Sequence, residues 1–189
     1  MKEISNSKKQ LLKALAYFLN DKPIEEIKVS ELINKAYISR STFYRSFETK
    51  EEFFEWVLEY YMEGLSGASL NNADNPISFY THYFDYISEN AVYFRAFNNS
   101  SMWPQFISAL NQNGVHIYQV FISQMTDNKN LSYLVSNYVI SAHIGVVTSW
   151  LNNDLLVSPT NIASIVTEMT TSALKSQGFS LGELFNSNT

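Results

Sequence analysis

The side chains with the most recognisable chemistry lie between Val29 and Lys50, in the stretch VSELINKAYISRSTFYRSFETK. Hydroxyl, phenol and guanidinium groups are concentrated there in one short run, which consists of Ser39, Arg40, Ser41, Thr42, Tyr44 and Arg45. Such groups donate hydrogen bonds to phosphate oxygens, and one arginine fork bonds two acceptors of a guanine. The threonine methyl and the tyrosine ring add apolar contact. The run therefore has the side chains typical of a nucleic-acid-binding surface.

The same stretch predicts two short helices joined by a tight turn at Tyr37-Ile38. The apolar face of the first helix consists of Leu32, Ile33 and Ala36. Ser39 is a favourable N-cap for the second helix, because its hydroxyl can accept a hydrogen bond from an unpaired backbone N–H. Phe43 and Phe47, four residues apart, share a face that we expect to be buried, so the polar run projects outward.

The composition indicates a globular protein with an uneven charge distribution. The chain has 189 residues, of which 46% are hydrophobic and 16% are charged, and its net charge is −5. Residues 1–50 hold ten Lys/Arg against six Asp/Glu, whereas residues 51–189 hold three against twelve. A basic N-terminal part on an acidic body favours an anionic partner for that part alone. The absence of cysteine excludes disulfides, thiolate nucleophiles and Cys-ligated zinc.

Helical signals dominate the rest of the sequence, and we predict an all-α protein of about nine helices. Asn75-Pro76 and Ser158-Pro159 each read as an N-cap followed by proline at the first helical position. The helix that begins at Lys50 is expected to fade at Gly64–Gly67, which places the domain boundary between residues 1–65 and 66–189. The polar residues in two charge-poor stretches, 96–126 and 130–153, argue against membrane spans. We see no signal peptide and expect a cytoplasmic protein.

The helix-turn-helix stretch resembles the DNA-binding domain of the TetR family of bacterial transcriptional regulators. The matching pattern is Ala36-x-Ile38-Ser39-x-Ser41-Thr42-Phe43-Tyr44-x-x-Phe47, followed by Lys50-Glu51-Glu52-Phe53. The resemblance covers roughly residues 8–65, with the helix-turn-helix motif at about 28–47. One departure is Tyr37, where the family usually has glycine. Another is Leu32-Ile33, where Ile-Ala is more usual.

The resemblance implies a role for each polar residue of the motif. Arg40 would read bases, Ser41 and Thr42 would face base edges, and Arg45 would contact the groove or the backbone. The expected phosphate contacts are Ser30, Ser39, Tyr44 and Lys50. The family also implies a double-stranded DNA partner with a palindromic operator.

The C-terminal region, by the same resemblance, is a helical domain for effector binding and dimerisation. Residues 76–127 are rich in aromatic side chains with interleaved polar groups, as in a mostly apolar ligand pocket. The pocket residues that we predict are Tyr83, Tyr86, Phe94, Trp103, Phe106 and His116. An unidentified small molecule is the expected effector.

A homodimer interface is predicted on the last two long helices. Ser141, Gly145 and Ser149 repeat every four residues and permit a close approach of helices. The final helix offers an apolar stripe that includes Ile165 and Met169. Two such helices from each subunit would form a four-helix bundle about a two-fold axis.

No residue pattern indicates an enzyme, a metal site or a cofactor. We predict that the three histidines, at positions 82, 116 and 143, are core or pocket residues with satisfied hydrogen bonds rather than metal ligands. The sequence therefore predicts a DNA-binding transcriptional regulator, most simply a repressor, whose activity is controlled by an effector. The alternative left open is a coactivator or protein-interaction module of the same fold that does not read an operator by itself.

Overall fold

The computed structural model of the chain describes residues 4–71 and 73–182. This part of the chain forms helices and no strands, which confirms the predicted all-α class. The helices are α1 (Asn6–Leu19), α2 (Val29–Lys35), α3 (Arg40–Tyr44), α4 (Lys50–Asn71), α5 (Pro76–Glu89), α6 (Ala91–Asn98), α7 (Trp103–Ser123), α8 (Lys129–Asn152) and α9 (Pro159–Ser176). A short 3-10 helix, Ile24–Glu26, lies between α1 and α2.

The predicted helix starts are confirmed by their capping hydrogen bonds. The Ser158 hydroxyl accepts from the Asn161 backbone N–H at 3.3 Å, and Pro159 is the first residue of α9. The Asn75 side-chain oxygen accepts from the Ser78 N–H at 2.9 Å, directly before α5. Each cap satisfies a backbone donor that the first helical turn leaves unpaired.

Helix α4 is longer than the sequence predicted. It continues through the small residues at 66–69 and ends at Asn71 rather than fading at Gly64–Gly67. The Ser69 side chain is buried, and its hydroxyl donates to the Leu65 carbonyl one turn earlier at 2.7 Å. Because the hydroxyl is satisfied within the helix, the polar side chain does not end it.

The described residues divide into two compact units. The first comprises residues 4–64 and 90–106, so it contains α1, α2, α3, most of α4, α6 and the start of α7. Its core is rich in phenylalanine, and Phe43, Phe53 and Phe94 are fully buried. The Tyr93 hydroxyl donates to the Leu12 carbonyl at 2.8 Å and joins α6 to α1. The division of function between residues 1–65 and 66–189 stays a prediction.

The second unit comprises residues 65–89 and 107–182 and contains α5, α8, α9 and most of α7. Helix α5 packs chiefly against α9, and α8 also contacts α9. The ring of Phe84 on α5 meets that of Trp150 on α8 edge to face, with centroids 5.3 Å apart. A methyl group at Gly114 on α7 would lie 2.6 Å from the Ile140 Cδ1 atom, so glycine permits the close approach of α7 and α8.

Helix α8 corrects one expectation about membranes. It has 24 residues and a mean hydropathy of 1.3 over its most apolar 18 residues, so it is long and apolar enough to cross a membrane. The polar residues of this stretch argue against a membrane span, but its length and mean hydropathy do not exclude one. Those polar groups find partners within the second unit: the Ser136 hydroxyl donates to the Ser132 carbonyl at 2.7 Å.

Candidate nucleic-acid interface

Helix α3 is held in place by its apolar face. Phe43 is fully buried and Phe47 almost so, and their ring centroids are 5.6 Å apart. Phe53 at the start of α4 contacts both rings, at 5.8 Å from Phe43 and 5.2 Å from Phe47. Aromatic pairs at such distances add to the free energy of burial alone. A five-residue helix is too short to be stable by itself, so this cluster fixes its orientation.

Ser39 begins α3 as the sequence predicted. Its hydroxyl oxygen accepts from the Thr42 backbone N–H at 3.1 Å and is 2.8 Å from the hydroxyls of both Ser41 and Thr42. Three hydroxyl groups therefore form a connected set at the start of the helix. Such a set is pre-ordered without help from a partner.

The polar run is exposed on the opposite side of α3. Exposed side chains among the predicted contacts are Ser30, Ser39, Arg40, Ser41, Tyr44 and Arg45, whereas Thr42 and Lys50 are half-buried. The Tyr44 ring rests edge-on against Phe43, with centroids 5.3 Å apart. This contact with the buried Phe43 ring limits the orientations of the Tyr44 side chain. The structure brings the predicted residues of α3 together on one solvent-facing surface.

The cations of this unit fall into two groups. Several lysines are engaged internally: Lys22 pairs with the Glu31 carboxylate at 2.7 Å, Lys35 lies 3.3 Å from the Tyr17 ring centroid, and Lys8 lies 4.6 Å from the Trp56 ring centroid. In contrast, the guanidinium group of neither Arg40 nor Arg45 makes an ion pair or hydrogen bond with another described residue. The guanidinium groups of Arg40 and Arg45 therefore remain available to a partner.

Lys50 has an internal partner that the sequence did not indicate. Its ammonium group donates to the Glu25 carbonyl at 2.9 Å, while the Glu25 carboxylate accepts from the Ser101 backbone N–H at 2.6 Å. Partial burial opposes ionisation of this carboxyl, but its hydrogen bonds to Ser101 and its own amide, with the charge of Lys50, lower its pKa. These residues border a cleft of about 360 Å³. An ammonium group has three donors, so one bond does not exhaust Lys50.

The predicted effector-pocket residues are distributed over both units. Phe94, Trp103 and Phe106 belong to the first unit, where Phe106 lies 6.1 Å from Phe94 and 6.4 Å from Trp103 between ring centroids. Tyr83, Tyr86 and His116 belong to the second unit. Within neither unit does the structure gather the six residues, and the pocket stays a prediction.

A buried polar network in the second unit was missed from the sequence. The hydroxyls of Tyr80 and Tyr118 are 2.6 Å apart, and His143 Nε2 lies 3.0 Å from both the Tyr80 hydroxyl and the Thr170 hydroxyl. Burial raises the pKa of Tyr80 to about 12 and lowers that of His143 to about 4. The network thus joins α5, α7, α8 and α9 through uncharged groups.

The three histidines meet the prediction only in part. The half-buried His143 has a hydrogen-bonded Nε2 atom, as predicted. His82 has a buried Nδ1 atom without a hydrogen-bond partner among the described residues, so the predicted hydrogen bond was wrong there. His116 is exposed and is not a core residue, while its place in a pocket stays a prediction.

The predicted dimer residues all lie on exposed parts of α8 and α9. They are Ser141, Gly145, Ser149, Ile165 and Met169. Exposed large side chains that the sequence analysis did not single out, Tyr133, Leu134 and Tyr138, extend the apolar surface along α8. A small notch of about 70 Å³ lies between the helices, with His143 and Thr170 among its lining residues. We call this exposed surface of α8 and α9 the α8–α9 face.

Comparison with known proteins supports the resemblance. A curated relative, the HTH-type transcriptional regulator YxbF of Bacillus subtilis (strain 168), is 23% identical over 168 residues. The match covers 85% of this chain but 43% of the relative, so the chain spans less than half of that protein's length.

Several solved structures share the fold at low sequence identity. The dihydroxyacetone kinase operon activator DhaS matches with a TM-score of 0.71 and 17% identity, over 90% of this chain and 97% of that chain. A TetR-family regulator from Streptomyces coelicolor matches with a TM-score of 0.70 and 16% identity, over 94% and 84% respectively. The fatty acid degradation regulator FadR from Bacillus halodurans matches with a TM-score of 0.62 and 14% identity, over 89% and 96%.

The family model TetR_C_8, described as a transcriptional regulator C-terminal region, matches residues 74–172. This match covers 99 of the 189 residues, more than half of the chain. The protein therefore belongs to the TetR family of transcriptional regulators.

Proposed function

We propose that the protein is a sequence-specific repressor that binds operator DNA through α3. The observation that carries the proposal is the pair of guanidinium groups, Arg40 and Arg45, on the exposed side of a helix that buried phenylalanines hold in place. Because neither arginine has an internal ion pair within the described part of the chain, binding DNA costs no existing ion pair. An arginine fork bonds the O6 and N7 atoms of guanine together, which reads a base directly.

Each remaining residue has a role that its position supports. Ser41 and Thr42 face base edges, while the phenol of Tyr44 donates to a phosphate and its ring packs on a sugar. Ser30, Ser39 and Lys50 bind backbone phosphates, and Lys50 uses donors that Glu25 leaves available. Phosphate contacts fix the register of the protein on the duplex, and base contacts give the sequence preference.

The α8–α9 face supports a homodimer. Its exposed apolar side chains include Met169, which is 61% exposed, and Ile165, which is 51% exposed. A contiguous apolar surface of this kind is costly in water and marks an interface. A two-fold dimer would present two α3 helices to half-sites roughly 34–36 Å apart, so the operator is palindromic.

Effector control completes the proposal. A small, weakly charged organic molecule binds in the C-terminal domain and changes operator affinity, which requires that it prefer one of two arrangements of the dimer. The protein acts in the cytoplasm, needs no cofactor and catalyses no reaction.

Selection from a random DNA pool with purified protein tests the DNA-binding proposal. We expect enrichment of an inverted repeat. Arg40→Ala should weaken binding to it by about 10- to 100-fold, because a good bidentate base contact is worth about 1–3 kcal/mol. Lys129→Ala is the matched control, since it removes one exposed positive charge from the second unit and should leave the affinity unchanged.

Two other outcomes would overturn this assignment. Salt-sensitive retention without an enriched motif would reduce the role of the basic N-terminal part to phosphate attraction. No retention of DNA, in the absence and presence of candidate effectors, would favour the coactivator or protein-interaction module.

A further inference from the structure

Tyr37 occupies an unfavourable backbone conformation in the turn between α2 and α3. Its φ angle is +53°, in the left-handed region where a Cβ atom crowds the backbone and where glycine is the usual residue. The turn is nevertheless well formed, because the Tyr37 N–H donates to the Asn34 carbonyl at 3.3 Å and the Ile38 N–H donates to the Ile33 carbonyl at 3.1 Å. A tyrosine here costs stability that a glycine would not.

Packing of the Tyr37 side chain does not offset this loss of stability. It is 93% exposed, more than any other large hydrophobic side chain among the described residues. Within that part of the chain, its ring and hydroxyl have no ring contact or hydrogen bond. Strained residues that add nothing to folding are concentrated at functional positions.

The location of Tyr37 places it beside the recognition surface. It precedes the N-cap of α3, Ser39, by two residues, so their Cα atoms are at most about 7.6 Å apart. The intervening Ile38 is half-buried, whereas Tyr37 and Ser39 are both exposed. In a helix-turn-helix the N-terminal residues of the recognition helix enter the major groove, so the turn before them lies near the phosphates at its border.

We propose that Tyr37 is a further operator contact, whose hydroxyl donates a hydrogen bond to a backbone phosphate beside the recognition helix. This inference rests on the proposed DNA binding. A phenol is neutral, so the contact adds affinity without releasing a counterion. A phosphate contact also carries no base information, so it strengthens binding to all sequences alike.

The test compares Tyr37→Phe and Tyr37→Gly on the duplex enriched by the selection. Tyr37→Phe removes only the hydroxyl and should weaken binding roughly tenfold, the scale of a hydrogen bond to a charged group. The slope of log K against log salt should stay at the wild-type value. Lys50→Ala, which removes a charged phosphate contact, should reduce that slope by about 0.9. Tyr17→Phe, at an exposed tyrosine of α1, is the matched control and should bind like the wild type.

Tyr37→Gly separates a DNA contact from a structural role. Glycine relieves the left-handed strain, so the thermal midpoint should not fall, while operator affinity falls at least as far as in Tyr37→Phe. A lower thermal midpoint with a parallel loss of affinity would make Tyr37 a structural residue and overturn the inference. Wild-type affinity of Tyr37→Phe would overturn it too. If Arg40→Ala weakens binding in that same experiment, the proposed function survives and only the Tyr37 contact fails.

Discussion

Helix α3 of the first unit and the α8–α9 face of the second unit present opposite chemistry to the solvent. Around α3, rings of Phe43, Phe47 and Phe53 lie inside and guanidinium and hydroxyl groups lie outside. Along α8 and α9, most buried side chains are also apolar, with a small network of hydroxyls and one imidazole among them, but apolar side chains such as Met169 and Leu134 lie outside as well. The exposed chemistry therefore differs while both surfaces rest on ordinary helices.

This difference in exposed chemistry indicates which class of partner suits each surface. Exposed guanidinium groups without internal partners suit a polyanion. On binding they exchange hydrogen bonds to water for hydrogen bonds to phosphate or base acceptors. Outward-facing apolar groups suit another apolar surface, and a second copy of the same chain supplies one by symmetry. The buried side chains beneath each surface determine how rigidly that surface is held. Three substitutions probe this contrast.

Phe43→Ala removes the central ring of the first unit's interior and should have the largest effect. Replacing a fully buried phenylalanine by alanine typically costs about 3–5 kcal/mol of unfolding free energy. Urea unfolding followed by tryptophan fluorescence measures the loss, and Trp56 and Trp103 both belong to this unit. Tyr44→Ala is the control: this side chain is 46% exposed and contacts only the edge of the cluster, so DNA binding should weaken while the urea midpoint falls much less than in Phe43→Ala.

A small change in stability for Phe43→Ala, or a large one for Tyr44→Ala, would contradict the separation of inside and outside on α3. The first result would mean that the recognition helix is not fixed by its aromatic contacts. The second would mean that Tyr44 supports the fold rather than DNA binding.

Helix α3 could be predicted because its determinants are local. Ser39, Phe43 and Phe47 lie within nine residues, and capping and i,i+4 spacing act at that range. The Tyr80–Tyr118–His143–Thr170 network was not predictable, since its members come from four helices up to 90 residues apart. Which hydroxyl meets the imidazole depends on how the helices pack. The bond from Lys50 to the Glu25 carbonyl, across 25 residues, was missed for the same reason.

Met169→Glu tests the outside of the second unit. A carboxylate within an apolar dimer interface loses hydration without gaining a partner, so the dimer dissociation constant should rise at least about 100-fold, or about 2.7 kcal/mol. Sedimentation velocity over a range of protein concentrations measures it. Thr171→Glu adds the same charge at an exposed position two residues further on, about 200° around the helix, and should leave the dimer intact. Equal dimer dissociation constants for the two variants would mean that Met169 does not lie in the interface.

The polar network inside the second unit should make the unfolding free energy depend on pH, because it includes His143. The pKa of the buried His143 imidazole is lowered to about 4, whereas an unfolded histidine titrates near 6.5. Above pH 6.5 both states are neutral, so His143 contributes no pH dependence. Below pH 6.5 the unfolded state binds a proton at this histidine, whereas the folded state does not. The unfolding free energy therefore falls by up to about 1.4 kcal/mol per pH unit down to about pH 4.

His143→Gln isolates this contribution, because glutamine keeps hydrogen-bonding groups but does not titrate. Its unfolding free energy, measured in urea at intervals from pH 7.5 to 4.5, should fall less steeply than that of the wild type below pH 6.5. His116→Gln changes an exposed histidine and should follow the wild-type curve. Glu25 and Glu31, whose pKa values are lowered, add acid sensitivity below about pH 4.5 that all three proteins share. A wild-type slope in His143→Gln would mean that the imidazole is protonated inside the fold, and that the polar network between α5, α7, α8 and α9 is not uncharged.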